Sequence, residues 1–93
     1  MRWKQEGFAI RVRFMMHQRQ TTQKTLAAKL GVAKSTMSQW LRDRAHYPSL
    51  DMLMCLAKVL KVNVCWLTFG CREHEPPEWP QFYNWIKTQA EEV

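Results

Sequence analysis

The sequence predicts an all-α domain. Apolar residues recur three and four positions apart in successive segments, and those segments are punctuated by helix caps and glycine stops. A chain of 93 residues has room for one compact core and is too short for two. With 46% hydrophobic and 24% charged residues, its composition is that of a globular protein.

The first helical pattern runs from about Gly7 to Arg19. In it Phe8, Val12, Met15 and Met16 form a stripe suited to a core, while Arg11, Arg13 and Arg19 fall off it. Residues 1–7, with Trp3, lack that periodicity and are expected to form an arm before a domain over 8–70 and a tail over 71–93. Thr22 suits the cap of a second helix, because its hydroxyl can accept from the amides left unpaired at a helix start. Leu26 and Leu30 then lie one turn apart on one face. Gly31 is expected to stop this helix in the left-handed conformation, where a side chain costs about 1 kcal/mol. Val32 plugs the turn that follows.

A third helix, Lys34 to about Leu41, is apolar on one side through Met37, Trp40 and Leu41. Its other side carries Lys34, Ser35, Ser38 and Gln39. After a polar connection through Arg42, Arg44 and His46, Pro48 turns the chain and Ser49 caps a fourth helix. In that helix Leu50, Leu53, Met54, Ala57 and Leu60 keep the core-forming spacing. Asn63 caps a fifth, short helix whose Val64, Trp66, Leu67 and Phe69 are expected to pack inward until Gly70 ends it. Pro76, Pro77 and Pro80 keep the start of the tail extended or turning. Pro80 then suits the opening of a last short amphipathic helix, Gln81 to about Glu91, bearing Phe82, Trp85 and Ile86.

Charge is unevenly spread. Residues 1–46 carry ten Lys/Arg against two acids, and residues 47–93 four against six, so the halves stand at +8 and −2. Such a split suits a positive face presented to a polyanion. Cys55, Cys65 and Cys71 form an odd set without CxxC spacing, which argues against a disulfide framework and for a reducing, cytoplasmic setting. Cys55 and Cys65 read as small buried hydrophobes. No apolar run is long enough for a membrane span, and no signal-peptide pattern opens the chain. Cys71 and His74 have metal-ligand spacing but no second pair to complete a zinc site, so no metal or other cofactor is expected. No paired carboxylates, phosphate-cradling glycine loop or activated nucleophile appears, and an enzyme is the least expected class.

Two short helices joined by a tight turn, the second apolar on one side and polar on the other, are what reading a DNA major groove requires. The groove is about 12 Å wide and admits a single helix, whose outer face must offer donors and acceptors. Lys34, Ser35, Ser38 and Gln39 supply them.

The run from Thr22 to Leu41, TQKTLAAKLGVAKSTMSQWL, closely resembles the helix-turn-helix of the phage lambda repressor and Cro family. Pro48-Ser-Leu before an apolar helix, and Trp66-Leu-Thr-Phe-Gly70, are similar to the fourth and fifth helices of that five-helix domain. The resemblance covers about Phe8 to Gly70 and implies a lambda-repressor-like fold that binds an operator in double-stranded DNA. It implies that Gln23 touches a phosphate and braces the recognition helix, and that Ala27 lets the two helices approach closely. Lys34, Ser35 and Gln39 match base-facing positions, with Thr36 and Ser38 at their border. Arg42 and Arg44 match a loop that holds phosphates, and Lys24 and Lys29 are further phosphate candidates. One departure is Ala33, which stands where Ser or Thr often caps the recognition helix.

A lone recognition helix reads few base pairs, so a homodimer on paired half-sites is expected. Candidate dimer contacts are Trp66 and Phe69, or Phe82, Trp85 and Ile86 of the tail, unless the tail folds back on its own domain. The tail's Trp79, Phe82, Tyr83 and Trp85 also raise a second reading, an antitoxin-like protein whose tail grips a partner protein while the helical domain binds its own promoter.

Overall fold

The fold is that of a computed structural model, which describes residues 2–42, 47–82, 84 and 85, with side chains from residue 7 onward. Five helices follow in order: α1 Arg2–Gln18, α2 Gln23–Leu30, α3 Lys34–Arg42, α4 Leu50–Leu60 and α5 Val64–Phe69. Two 3-10 turns, Arg72–His74 and Trp79–Gln81, shape the tail. The described residues contain no strand, and no helix among them is long and apolar enough to cross a membrane. Helix α1 already runs through the stretch expected to be an arm, beginning at Arg2.

Local chemistry sets the boundaries. The side chain of Thr22 accepts from the Thr25 amide at 3.1 Å, Ser49 from Met52 at 3.3 Å, and Asn63 from Cys65 and Trp66 at 2.7 and 3.3 Å. Gly31 and Gly70 close α2 and α5 at φ of 73° and 75°. Lys61 closes α4 in the same left-handed region, at φ of 60°, without the glycine that usually marks it.

Helix α1 is the centre of the molecule. It packs on α3 and α5, α2 packs on α3 and α4, and α4 on α5. Phe8, Val12, Met15 and Met16 are buried as their spacing predicts, but so is Phe14, which lies off that stripe. The tail explains this: Trp79, Phe82 and Trp85 close over Phe14 with ring centroids 5.4, 5.9 and 5.6 Å away. Trp79 also meets Trp66 edge-on at 5.0 Å. The aromatic tail therefore completes the core from the far side of α1.

Several expected core positions are corrected. In α4 the buried face is turned toward Leu56, with Leu53, Ala57 and Leu60, while Leu50 and Met54 stand 69% and 54% exposed on its edge. Phe69, in the last turn of α5, is 64% exposed. Cys55 lies on the outer side of α4 and is exposed. Cys65 is joined to Cys71 in a disulfide, against the expectation of unpaired thiols. The left-handed turn at Gly70 brings the chain back across the end of α5, leaving the two Cα atoms 6.0 Å apart.

Candidate nucleic-acid interface

Helices α2 and α3 form the helix-turn-helix and pack on each other, and Ala27 of α2 is buried. The turn is fixed by backbone bonds: the Gly31 amide donates to Ala28 at 3.2 Å and the Val32 amide to Ala27 at 3.0 Å. Met37 and Leu41 anchor α3, at 1% and 7% exposure, and Trp40 packs half-buried against the same core. Trp40 is thus held inward and does not stand out to stack on a base.

With that side anchored, Lys34, Ser35 and Gln39 stand exposed on the other, and Thr36 is half-buried at its border. Ser38 differs from the sequence expectation of a base reader. It is half-buried, and its hydroxyl donates to Gln23 Oε1 at 3.0 Å. That bond spends the only proton Ser38 can donate and ties the middle of α3 to the start of α2. Among the expected phosphate contacts, Lys24, Lys29 and Arg42 are exposed and Gln23 is half-buried. Arg44 lies outside the described residues.

Arg11 and Arg13 of α1, with Arg19 just beyond it, narrow the positive face that the charge count suggests. Arg11 donates to the carbonyls of Leu67 and Thr68 at the end of α5, each at 2.9 Å. Arg13 donates to Leu41 near the end of α3 at 3.3 Å. Arg19 donates to Leu60 and Lys61 at the end of α4 at 2.8 and 3.4 Å. Helix C-termini present unpaired carbonyls and the negative end of the helix dipole, so each guanidinium answers a need inside the fold. Burial draws the Arg11 guanidinium below its ordinary range, partly offset by Tyr47, and the same burial pushes the Tyr47 phenol up.

The expected dimer contacts are redistributed. Trp66 is 1% exposed, so it has no surface to offer a partner. Phe82 and Trp85 are half-buried against Phe14, which spends their apolar faces within the chain. Ile86 lies outside the described residues, as does Tyr83. Phe69 alone of the five is exposed in the described structure. Nothing in linear order brings Arg13 and His17 close to Gln23, yet all three line one cleft. Their trace in the sequence is a four-residue spacing that stacks the two α1 side chains on one helix face.

A family profile described as the bacteriophage CI repressor helix-turn-helix domain matches residues 11–74. The chain is also 32% identical over 66 residues to the HTH-type transcriptional regulator DicA of Escherichia coli strain K12. That stretch covers 71% of this chain and 48% of DicA, so the chain spans about half the length of this curated relative. No solved structure matches significantly.

Proposed function

The chain belongs to the bacteriophage CI repressor helix-turn-helix family, and from that premise we propose that it is a sequence-specific double-stranded-DNA-binding transcriptional regulator that reads an operator with α3. The observation that carries this reading is the exposed row of Lys34, Ser35 and Gln39 on a helix pinned from behind by Met37 and Leu41. Those side chains offer the donors and acceptors that base edges in the major groove pair with. Gln23, Lys24, Lys29, Thr36, Arg42 and Arg44 hold the backbone phosphates on either side, fixing register without reading sequence.

The operator is bound by a homodimer, because one recognition helix specifies too few base pairs. Phe69, with Leu50 and Met54, supplies exposed apolar surface for the second copy. The aromatic tail that suggested a protein partner is already packed on Phe14 and Trp66, which favours the DNA reading over the antitoxin-like one.

Selection of bound duplexes from a random pool tests the proposal. A two-fold symmetric consensus is expected, and Gln39→Ala should relax one position in each half-site. Recovery of unenriched sequence would overturn it.

A further inference from the structure

The disulfide between Cys65 and Cys71 closes a loop around the end of α5. Cys65 is the second residue of that helix and Cys71 follows Gly70, whose left-handed turn leaves the two Cα atoms 6.0 Å apart. Phe69, the exposed apolar residue offered above as a contact for the second copy, lies inside the loop. A helix of six residues cannot hold its own shape, since isolated helices below about 12–15 residues are marginal in water. Its last turn is held by the Gly70 amide on the Trp66 carbonyl at 2.7 Å, by Arg11 on the carbonyls of Leu67 and Thr68, and by the disulfide. Only the last of these depends on oxidation.

A protein that reads DNA works among small thiols that keep cysteines reduced, and disulfides in such a setting are usually transient or redox-sensing. Cys65 and Cys71 are half-buried and not sealed in the core, which leaves the pair within reach of a small-molecule thiol or disulfide. Cys55, on α4, is exposed and stands apart from the pair as a free thiol.

We propose that Cys65 and Cys71 form a reversible oxidation site, a thiol–disulfide switch that fixes Phe69 when oxidised, loosens it when reduced, and so strengthens pairing of two copies on the operator under oxidising conditions. That last consequence rests on the homodimer reading above. The oxidant is a low-molecular-weight disulfide of the glutathione type. One cysteine, as its thiolate, attacks this disulfide and displaces one small thiol, leaving a mixed disulfide on the protein. The other cysteine then loses its proton, attacks the protein sulfur and displaces the second small thiol. The protein is oxidised by two electrons, the reagent is reduced by two, and the two cysteine protons end on the two small thiols.

The full chain, equilibrated in mixtures of reduced and oxidised glutathione, tests this by alkylation, melting, sedimentation and titration with its selected operator. Alkylation should count three thiols at the reducing end and one, Cys55, at the oxidising end. The oxidised form should melt about 10 °C higher, as closure of a short loop implies in a domain of this size. It should also pair more tightly and bind the operator about 5-fold more tightly or better. Cys65→Ser combined with Cys71→Ser should keep every reading at its reduced value in all mixtures, whereas Cys55→Ser should leave the response intact. Should the double variant fail to fold, Cys71→Ser alone, outside the helix, serves in its place.

A thiol count that stays at three, or at one, across all mixtures overturns the switch. A changing count with unchanged pairing and operator affinity makes the bond a staple of the fold and overturns its regulatory role. If the oxidised chain stays a monomer on its operator, the homodimer reading fails, and if it binds no DNA in either state, the operator reading fails. In both cases the thiol count and melting temperatures still decide whether the pair is a reversible oxidation site.

Discussion

Arg19 and Glu78 meet at 2.5 Å across 59 positions of sequence, joining the residue just beyond α1 to the proline-rich tail. The same guanidinium reaches Leu60 at the end of α4. One side chain thus holds together a helix that leads into the helix-turn-helix, a core helix and the segment that covers Phe14.

This arrangement makes stability depend on pH in a definite direction. The hydrogen bond from Arg19 holds the Glu78 carboxyl below its ordinary value, outweighing the opposing effect of desolvation. A carboxyl that is more acidic when folded stabilises fully above its unfolded value near 4.5 and loses that contribution as pH falls through the lower folded value. Glu78→Gln should therefore destabilise the protein at neutral pH, by no more than about 1 kcal/mol for a pair this near the surface. The deficit should vanish in strong acid. Urea melts of both proteins across pH check this, and a deficit that persists in acid would show that Glu78 acts by packing and not by charge.

Trp79 touches Trp66, Phe14 and Phe82 at 5.0, 5.4 and 4.3 Å, so the tail acts as part of the core. Trp79→Ala should cost about 3 kcal/mol, the lower end of the range for emptying a core aromatic site, since Trp79 itself is only half-buried. A chain ending at Gly70 should melt well below the full one. Equal melting temperatures for the two would place the tail outside the cooperative unit.

What was legible in the sequence follows from how local the cause is. Thr22, Ser49 and Asn63 cap because a short polar side chain meets amides two or three residues on, and Gly31 and Gly70 stop helices by their own backbone freedom. The outward row of Lys34, Ser35 and Gln39 follows from helical period alone. Phe14 was not legible, because its cover comes from residues 65 or more positions away. Arg11, Arg13 and Arg19 look like a nucleic-acid face in sequence, since nothing in composition tells a guanidinium facing solvent from one facing a helix end. Lys61 adopts its left-handed turn with no residue type to announce it, and Cys65 and Cys71 meet only once Gly70 has turned the chain.

The bond from Ser38 to Gln23 predicts coupling between two positions that a purely base-reading account would treat as independent. Ser38→Ala and Gln23→Ala should each destabilise, and the double variant should lose about 0.5–1.5 kcal/mol less than their sum. Chemical denaturation of the four proteins in the cycle measures this. Additive losses would mean that the bond contributes nothing to holding α3.

Gly31 and Gly70 share nearly the same backbone conformation, with φ of 73° and 75°, but differ in what an added methyl would meet. At Gly31 a Cβ has nothing within 4 Å, so Gly31→Ala should cost only the left-handed penalty, about 1 kcal/mol. At Gly70 the new Cβ would stand 3.0 Å from Arg11 Nη1. A guanidinium usually swings aside at little cost, but this one is pinned by bonds to Leu67 and Thr68, both 2.9 Å. Gly70→Ala should therefore be more destabilising than Gly31→Ala, by about the value of one loosened hydrogen bond, near 1 kcal/mol. Removing the obstacle isolates the cause: in an Arg11→Ala background the increment for Gly70→Ala should fall to that of Gly31→Ala. Thermal melts of the three single variants and the double variant decide it, and an undiminished increment would place the extra cost somewhere other than the Arg11 contact.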